Sequence, residues 1–153
     1  MGGHFDVQHH TQFLARLVRE GRLPPLDLDH TQTLASPVTF HDPCYLARVG
    51  GETLAPRVAL QAALGDQQPF HEMPRNGRDT SCCGAGGGRM WFDDKPEERV
   101  GNSRVAEAAA TGAKTLAVGC PFCLLMMTDE IAASGEQIQA RDVAEIMADR
   151  LPK

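Results

Sequence analysis

Apolar residues along the chain alternate between two rhythms. In VQHHTQFLARLVREGRL (7–23), Phe13, Leu14, Leu17 and Val18 recur at helical spacing and the pattern stops at Gly21, which predicts an amphipathic helix. PPLDLDHTQT reads as a linker. SPVTFHD (36–42) is a short β-branched and aromatic run, a predicted strand ending at Pro43-Cys44. APRVALQAALG (55–65) predicts a helix with Pro56 in its first turn and Gly65 as its stop. QPFHEM (68–73) is a weaker strand, and MPRNGRDTS is turn-rich. In DDKPEERVGNSRVAEAAATG, Asp94 and Glu97 stand at capping-box spacing before a helix closed by Gly112. KTLAVG (114–119) predicts a buried strand. CPFCLLMMTDEIAAS starts a helix with Pro121 at its first position, and ARDVAEIMADRL supplies a last helix. Strands alternating with helices predict an α/β fold, a small parallel sheet flanked by helices. Ligands of such sheets sit beyond the carboxyl ends of the strands.

Composition narrows the class without naming it. The 153 residues are 42% apolar and 23% charged, as in an ordinary globular domain. A net charge of −5 gives no basic surface for nucleic acid. The uncharged stretch from Thr115 to Thr128 is shorter than the roughly 20 residues that a membrane span needs. No basic-then-apolar leader opens the chain, so no export is expected. The opening MGGHFDV reads as an edge, either of a short subunit or of a piece of a longer polypeptide. Five cysteines cannot all pair within the chain, and in an expected reducing cytoplasm metal or redox work is favoured over stapling.

The cysteines are placed with purpose. Cys44 follows the first strand, Cys82-Cys83 follow the loop after 68–73, and Cys120 follows the strand at 114–118, in the spacing C-x37-C-C-x36-C-x2-C. If the strands are parallel neighbours, the five thiols Cys44, Cys82, Cys83, Cys120 and Cys123 converge on one rim, on loops at the carboxyl ends of strands. A C-x-x-C that opens a helix puts its sulfurs near free N–H groups and the positive dipole end, which stabilise thiolates and anionic clusters. Five thiolates suit iron–sulfur chemistry better than zinc, whose structural sites are closed by four ligands. Zinc remains the alternative metal. Gly84, Gly86, Gly87 and Gly88 let the backbone approach a cluster and aim N–H groups at its sulfurs. CPFC alone also resembles a glutaredoxin-type dithiol, a reading that leaves three cysteines idle. The dinucleotide-loop reading of Gly84-x-Gly86 fails where Arg89 stands at the third glycine position.

These residues carry a resemblance. Cys44, Cys82-Cys83-Gly84 and Cys120-Pro-Phe-Cys123, over roughly 36–130, look like the CCG cysteine-rich domain of heterodisulfide reductase. The same domain occurs in the iron–sulfur subunits of glycolate oxidase, anaerobic glycerol-3-phosphate dehydrogenase and lactate-utilisation systems. HDPC and CCGAGGGRMW are especially similar to iron–sulfur-binding reductase subunits of this group. The family often carries the domain twice, behind ferredoxin-type cysteine runs. This chain holds one copy and no such run, so it resembles the carboxyl-terminal domain alone. On that basis, 1–35 forms an amino-terminal helix and linker and 36–153 the cysteine-rich iron–sulfur domain. The resemblance implies a 4Fe–4S cluster, non-cubane in heterodisulfide reductase, held by the five cysteines. It further implies an oxidoreductase component that relays electrons or reduces disulfides. With no ferredoxin run or complete dinucleotide loop as an electron source, the chain is not expected to turn over alone. The implied partners are ferredoxin-like iron–sulfur and flavin dehydrogenase subunits, with a thiol/disulfide or quinone acceptor. The implied location is the cytoplasm, including the inner face of the membrane through those partners. The other class of function is a zinc-held or metal-free module that docks onto a dehydrogenase.

Several neighbours carry two readings. His41, three residues before Cys44, either donates to a cluster sulfur or shuttles a proton, or is a strand-end histidine bonded to backbone. His9-His10 reads as a solvated helix start rather than a ligand pair. Met90 and Trp91 pack beside the glycine loop or shield a cluster. Met126 and Met127 read as core, and Arg89 as electrostatic support or a substrate contact.

Overall fold

The computed structural model describes residues 2–28, 34–66 and 68–152. Three strands, β1 (Val38–His41), β2 (Thr115–Val118) and β3 (Gln139–Asp142), form one parallel sheet in the order β1-β2-β3. In register, His41 lies beside Val118 and Val118 beside Asp142, so all three carboxyl ends finish on one line. Every residue of β1 and β2 is buried, as expected of strands covered on both faces.

Because side chains alternate across a strand, β1 and β2 feed two cores. Val38, Phe40 and Ala117 pack with Ala59, Leu60, Ala63 and Leu64 of α2 (Leu54–Leu64) and with Val143, Ile146 and Met147 of α5 (Val143–Ala148). Leu116 and Val118 face the opposite way, onto Val105 and Ala108 of α3 (Asn102–Ala110) and Cys123, Met127 and Ile131 of α4 (Pro121–Ser134). The remaining helix, α1 (His10–Arg19), lies against α2 and α5. Leu14 and Val18 meet the first core, whereas Phe13 points outward under Arg16.

The boundaries follow local chemistry. α4 begins because Cys120 is extended at the N-cap and Pro121 supplies the first helical residue, and it ends at Gly135, whose φ is +73°. His9 caps α1 in a capping box with Gln12 and is half-buried, and His10 lies beside Asp142 at 3.4 Å, so this pair is built into the fold rather than simply solvated. The linker at 24–33 falls partly outside the described residues.

Three expected elements differ. The strand at 68–73 reduces to a single parallel bridge between Phe70 and Val38, because Pro69 has no N–H to extend the ladder and Pro74 follows. The last helix begins only at Val143. Residues 139–142 are instead the edge strand β3, and the Asp142–Glu145 capping box marks where strand yields to helix. Asp94 does not cap a helix: its carboxylate accepts from Arg89 Nε at 2.7 Å, residues 96–98 form one 3₁₀ turn, and α3 starts at Asn102. Among the described residues no helix is long and apolar enough to cross a membrane.

The outward turn of Phe13 gives a direct contrast. Phe40→Ala, at a fully buried position, is expected to cost about 3–5 kcal/mol, and Phe13→Ala less than about 0.5 kcal/mol, in urea unfolding followed by circular dichroism.

Candidate metal centre

The carboxyl rim of the sheet carries the thiols. Cys44 leaves β1 through Asp42-Pro43 and opens a π-helical turn, Tyr45–Val49, a geometry frequent at functional sites. Cys120 leaves β2 through Gly119 and caps α4, which puts Cys123 in its first turn. Cys82 and Cys83 arrive between these two on the loop before a 3₁₀ stretch at Gly86–Trp91. Cys44, Cys83, Cys120 and Cys123 line one cavity of about 280 Å³, together with Gly86, Gly87 and Gly88. Tyr45, Trp91 and Phe122 stand at its walls, with Trp91 81% exposed. Met90 joins this lining and the adjacent core, Met127 is buried, and Met126 is half-buried beside Gly84.

Cys82 is not among the lining residues. Its half-exposed sulfur accepts the Gly84 N–H at 3.3 Å. Gly84 has φ +94°, a conformation that favours glycine, so the turn that follows the two cysteines requires it. A second glycine is fixed by proximity. A Cβ on Gly101 would come within 3.0 Å of the Cys83 carbonyl oxygen and 2.9 Å of Glu130, so the start of α3 lies directly against the cysteine loop.

The sulfurs are not equivalent. Cys123 donates to Cys83 across 3.3 Å, and both are buried. That donated hydrogen bond, reinforced by His41 against the cost of burial, holds Cys83 well below the usual thiol range, whereas Cys123 is pushed up as the partner that keeps the proton. Cys120 is lowered to about 6, chiefly by the neighbouring Cys123 thiol, whose single proton it shares with Cys83, and further by the N–H groups of Cys123 and Phe122 at the helix start. Cys44 is raised, first by burial and then by the negative charge of Cys82 and Cys83.

Behind the thiols lies a polar network that the cysteine spacing does not foretell. Asp42 is buried and accepts from both terminal nitrogens of Arg57, at 2.8 and 2.9 Å, and from the Gly77 N–H at 2.7 Å. Its carbonyl accepts from Thr80 Oγ1, which also accepts from Arg104. Arg104 has no exposed surface; its Nε donates to His41 Nδ1 at 2.9 Å, and it pairs with Glu107. Arg48, on the π-helical turn, donates to the carbonyls of Arg78 and Thr80. The sequence does hold signals of this network: an acid trapped between a strand end and a proline, and a cation, Arg104, at helical spacing with the apolar Val105 and Ala108. Arg89, open to two roles on sequence grounds, is spent on Asp94.

A ring nitrogen of His41 and the sulfurs of Cys83 and Cys123 all lie within 4.8 Å of one another. The donor set is therefore soft and preassembled, as iron–sulfur clusters and zinc both require. The cavity, about 280 Å³, has room for a multi-atom group.

Residues 38–128 match the family model of the CCG cysteine-rich domain. The chain belongs to that family. Among curated relatives, the chain is 38% identical over 145 residues to the "Probable iron-sulfur-binding oxidoreductase FadF" of Bacillus subtilis, covering 94% of this chain and 20% of that protein. It is 35% identical over 156 residues to the "EtfAB:quinone oxidoreductase" of Syntrophomonas wolfei, covering 96% and 21%. It is 35% identical over 147 residues to a component of the dihydromethanophenazine:CoB–CoM heterodisulfide reductase of Methanosarcina barkeri, covering 96% and 34%. The chain thus spans about a fifth to a third of the length of these relatives.

The unequal thiols order their reactivity. In metal-free, reduced protein, iodoacetamide at neutral pH is expected to modify Cys120 before Cys44, because thiolate is the nucleophile. Below about pH 6 the Cys120 rate falls as its thiolate is protonated, and Cys44 becomes reactive only on the alkaline side of an ordinary thiol. Peptide mapping by mass spectrometry reads both, and prior labelling of Cys44 would reverse the assignment.

Proposed function

We propose that this chain is the cluster-holding domain of an iron–sulfur oxidoreductase, with Cys44, Cys82, Cys83, Cys120 and Cys123 holding one cluster. The observation that carries this reading is the convergence of Cys44, Cys83, Cys120 and Cys123 on one cavity, with the Cys83 and Cys123 sulfurs already 3.3 Å apart. The relatives, named as an iron–sulfur-binding oxidoreductase, a quinone oxidoreductase and a heterodisulfide reductase component, support the same class. A cluster bound there would supply one-electron redox chemistry. The chain's own part is to hold it with thiolates, to offer backbone N–H groups from 84–88, and to wall it with Tyr45, Trp91 and Phe122. A 4Fe–4S cluster, including the non-cubane form, is consistent with five thiols. Electrons would come from a ferredoxin-like or flavin partner and pass to a quinone or to a disulfide, which takes up two electrons and two protons to give two thiols. The exposed aromatic wall is where such a partner or acceptor would meet the site.

Zinc is the second reading, favoured by the paired Cys83 and Cys123 thiols, which zinc also takes as ligands. Anaerobic purification with iron, acid-labile sulfide and zinc analysis separates the two. The expected result is coloured protein with iron matched by sulfide, and a lower iron content or an altered spectrum in each Cys→Ser variant. A colourless protein with one zinc, or Cys82→Ser and Cys83→Ser variants that both keep full occupancy and spectrum, would overturn the cluster assignment. In loaded protein, a spectral response to added thiol favours disulfide chemistry, and reoxidation by a quinone analogue without that response favours relay.

A further inference from the structure

His41 is 1% exposed, on the α3–α4 side of the sheet beneath the thiol cavity. Its two ring nitrogens have different surroundings. Nδ1 accepts from Arg104 Nε, whereas Nε2 is buried without a hydrogen-bond partner among the described residues. Arg104 cannot turn away, because its other nitrogens donate to the Arg75 carbonyl at 2.7 Å, Glu107 at 2.7 Å and Thr80 Oγ1 at 3.2 Å. A guanidinium only donates. Nδ1 must therefore present a lone pair, and a neutral ring then carries its proton on Nε2.

We propose that Arg104 is a positioning residue that fixes His41 as an Nε2–H donor in a ring that stands within 4.8 Å of the sulfurs of Cys83 and Cys123, and so excludes His41 as a metal ligand. A histidine that ligates a metal through Nε2 donates its Nδ1–H to a carboxylate, carbonyl or water. Here the polarity is reversed. Ligation through Nε2 would require either a fully deprotonated ring or a broken Arg104 bond, and the latter leaves a buried cation short of a partner. As a donor, His41 stabilises negative charge on sulfur, which favours the Cys83 thiolate in metal-free protein. Toward a bound cluster it would favour the reduced form and raise the potential. The tautomer is a property of this chain alone, and only the effect on potential rests on the cluster reading above.

Nitrogen-15 NMR of histidine-labelled wild-type protein tests the tautomer without any substitution, in metal-free and metal-loaded samples. The expected spectrum shows His41 neutral, protonated at Nε2 and unchanged in tautomer on loading. A proton on Nδ1, a doubly protonated ring or a metal-bound Nε2 signal would each overturn the proposal. Arg104→Met is expected to admit the Nδ1–H form, and Arg104→Lys, which keeps a cationic donor, to restore the wild-type pattern. In loaded protein, His41→Phe is expected to keep the full metal content and lower the midpoint potential, with His41→Gln recovering part of the shift. Stoichiometric loss of metal from folded His41→Phe, checked by circular dichroism, would make the histidine a ligand. If the protein takes up no iron, the cluster reading fails while the metal-free spectrum still decides the tautomer.

Discussion

The thiol site depends on two consecutive side chains at the end of β1, His41 and Asp42, each held by an arginine from a different helix. Asp42 is gripped by Arg57 of α2, and His41 by Arg104 of α3. These helices cover opposite faces of the sheet, so the strand end is braced from both sides. Asp42 and Thr80 also tie the loop of 77–80 to that strand end, and this loop delivers Cys82 and Cys83. Burying charge is expensive, and such pairs contribute little net stability. Their effect here is positional: they set where the strand stops, where the cysteine loop begins and which ring nitrogen of His41 is left for sulfur.

The same arrangement explains why the thiols differ. Cys120 stands at a helix start, Cys83 accepts a proton bond from Cys123, and Cys44 sits half-buried among negative neighbours. A site with two favoured thiolates and two protonated thiols is poised to release protons as metal enters, since ligands bind metal as thiolates. The apolar wall beside it keeps that charge out of bulk water on one side and leaves aromatic surface for an encounter on the other.

The parallel sheet, its strands β1 and β2 and the helices at α1, α2, α3 and α4 were legible from periodicity and from stops such as Gly21, Gly65 and Gly112. The gathering of the cysteines on one rim followed from topology, because a parallel register puts Cys44 and Cys120 side by side. Other features were hidden for physical reasons. β3 reads Gln-Ala-Arg-Asp, without β-branched residues or alternation, and becomes a strand only because β2 offers it an edge. Phe13 satisfies the helical spacing yet lies on the outer flank, because the packing of α1 is set by Ala15, Leu14 and Val18. The partners of the buried Arg104 were hidden, because they are distant in sequence, as His41 is.

The sheet order also has a consequence in time. β1 is an edge whose neighbour is β2, with Val38 paired to Thr115. Apart from the single bridge to Phe70, everything between must be synthesised before β1 gains its ladder with β2, so the contacts that enclose the site are strongly non-local and slow to form. During that interval Cys44, Cys82 and Cys83 travel on an unfinished chain, exposed to oxidants and to one another. Protection of the nascent thiols, or early delivery of metal to them, then governs the yield of competent protein as much as the stability of the finished fold does.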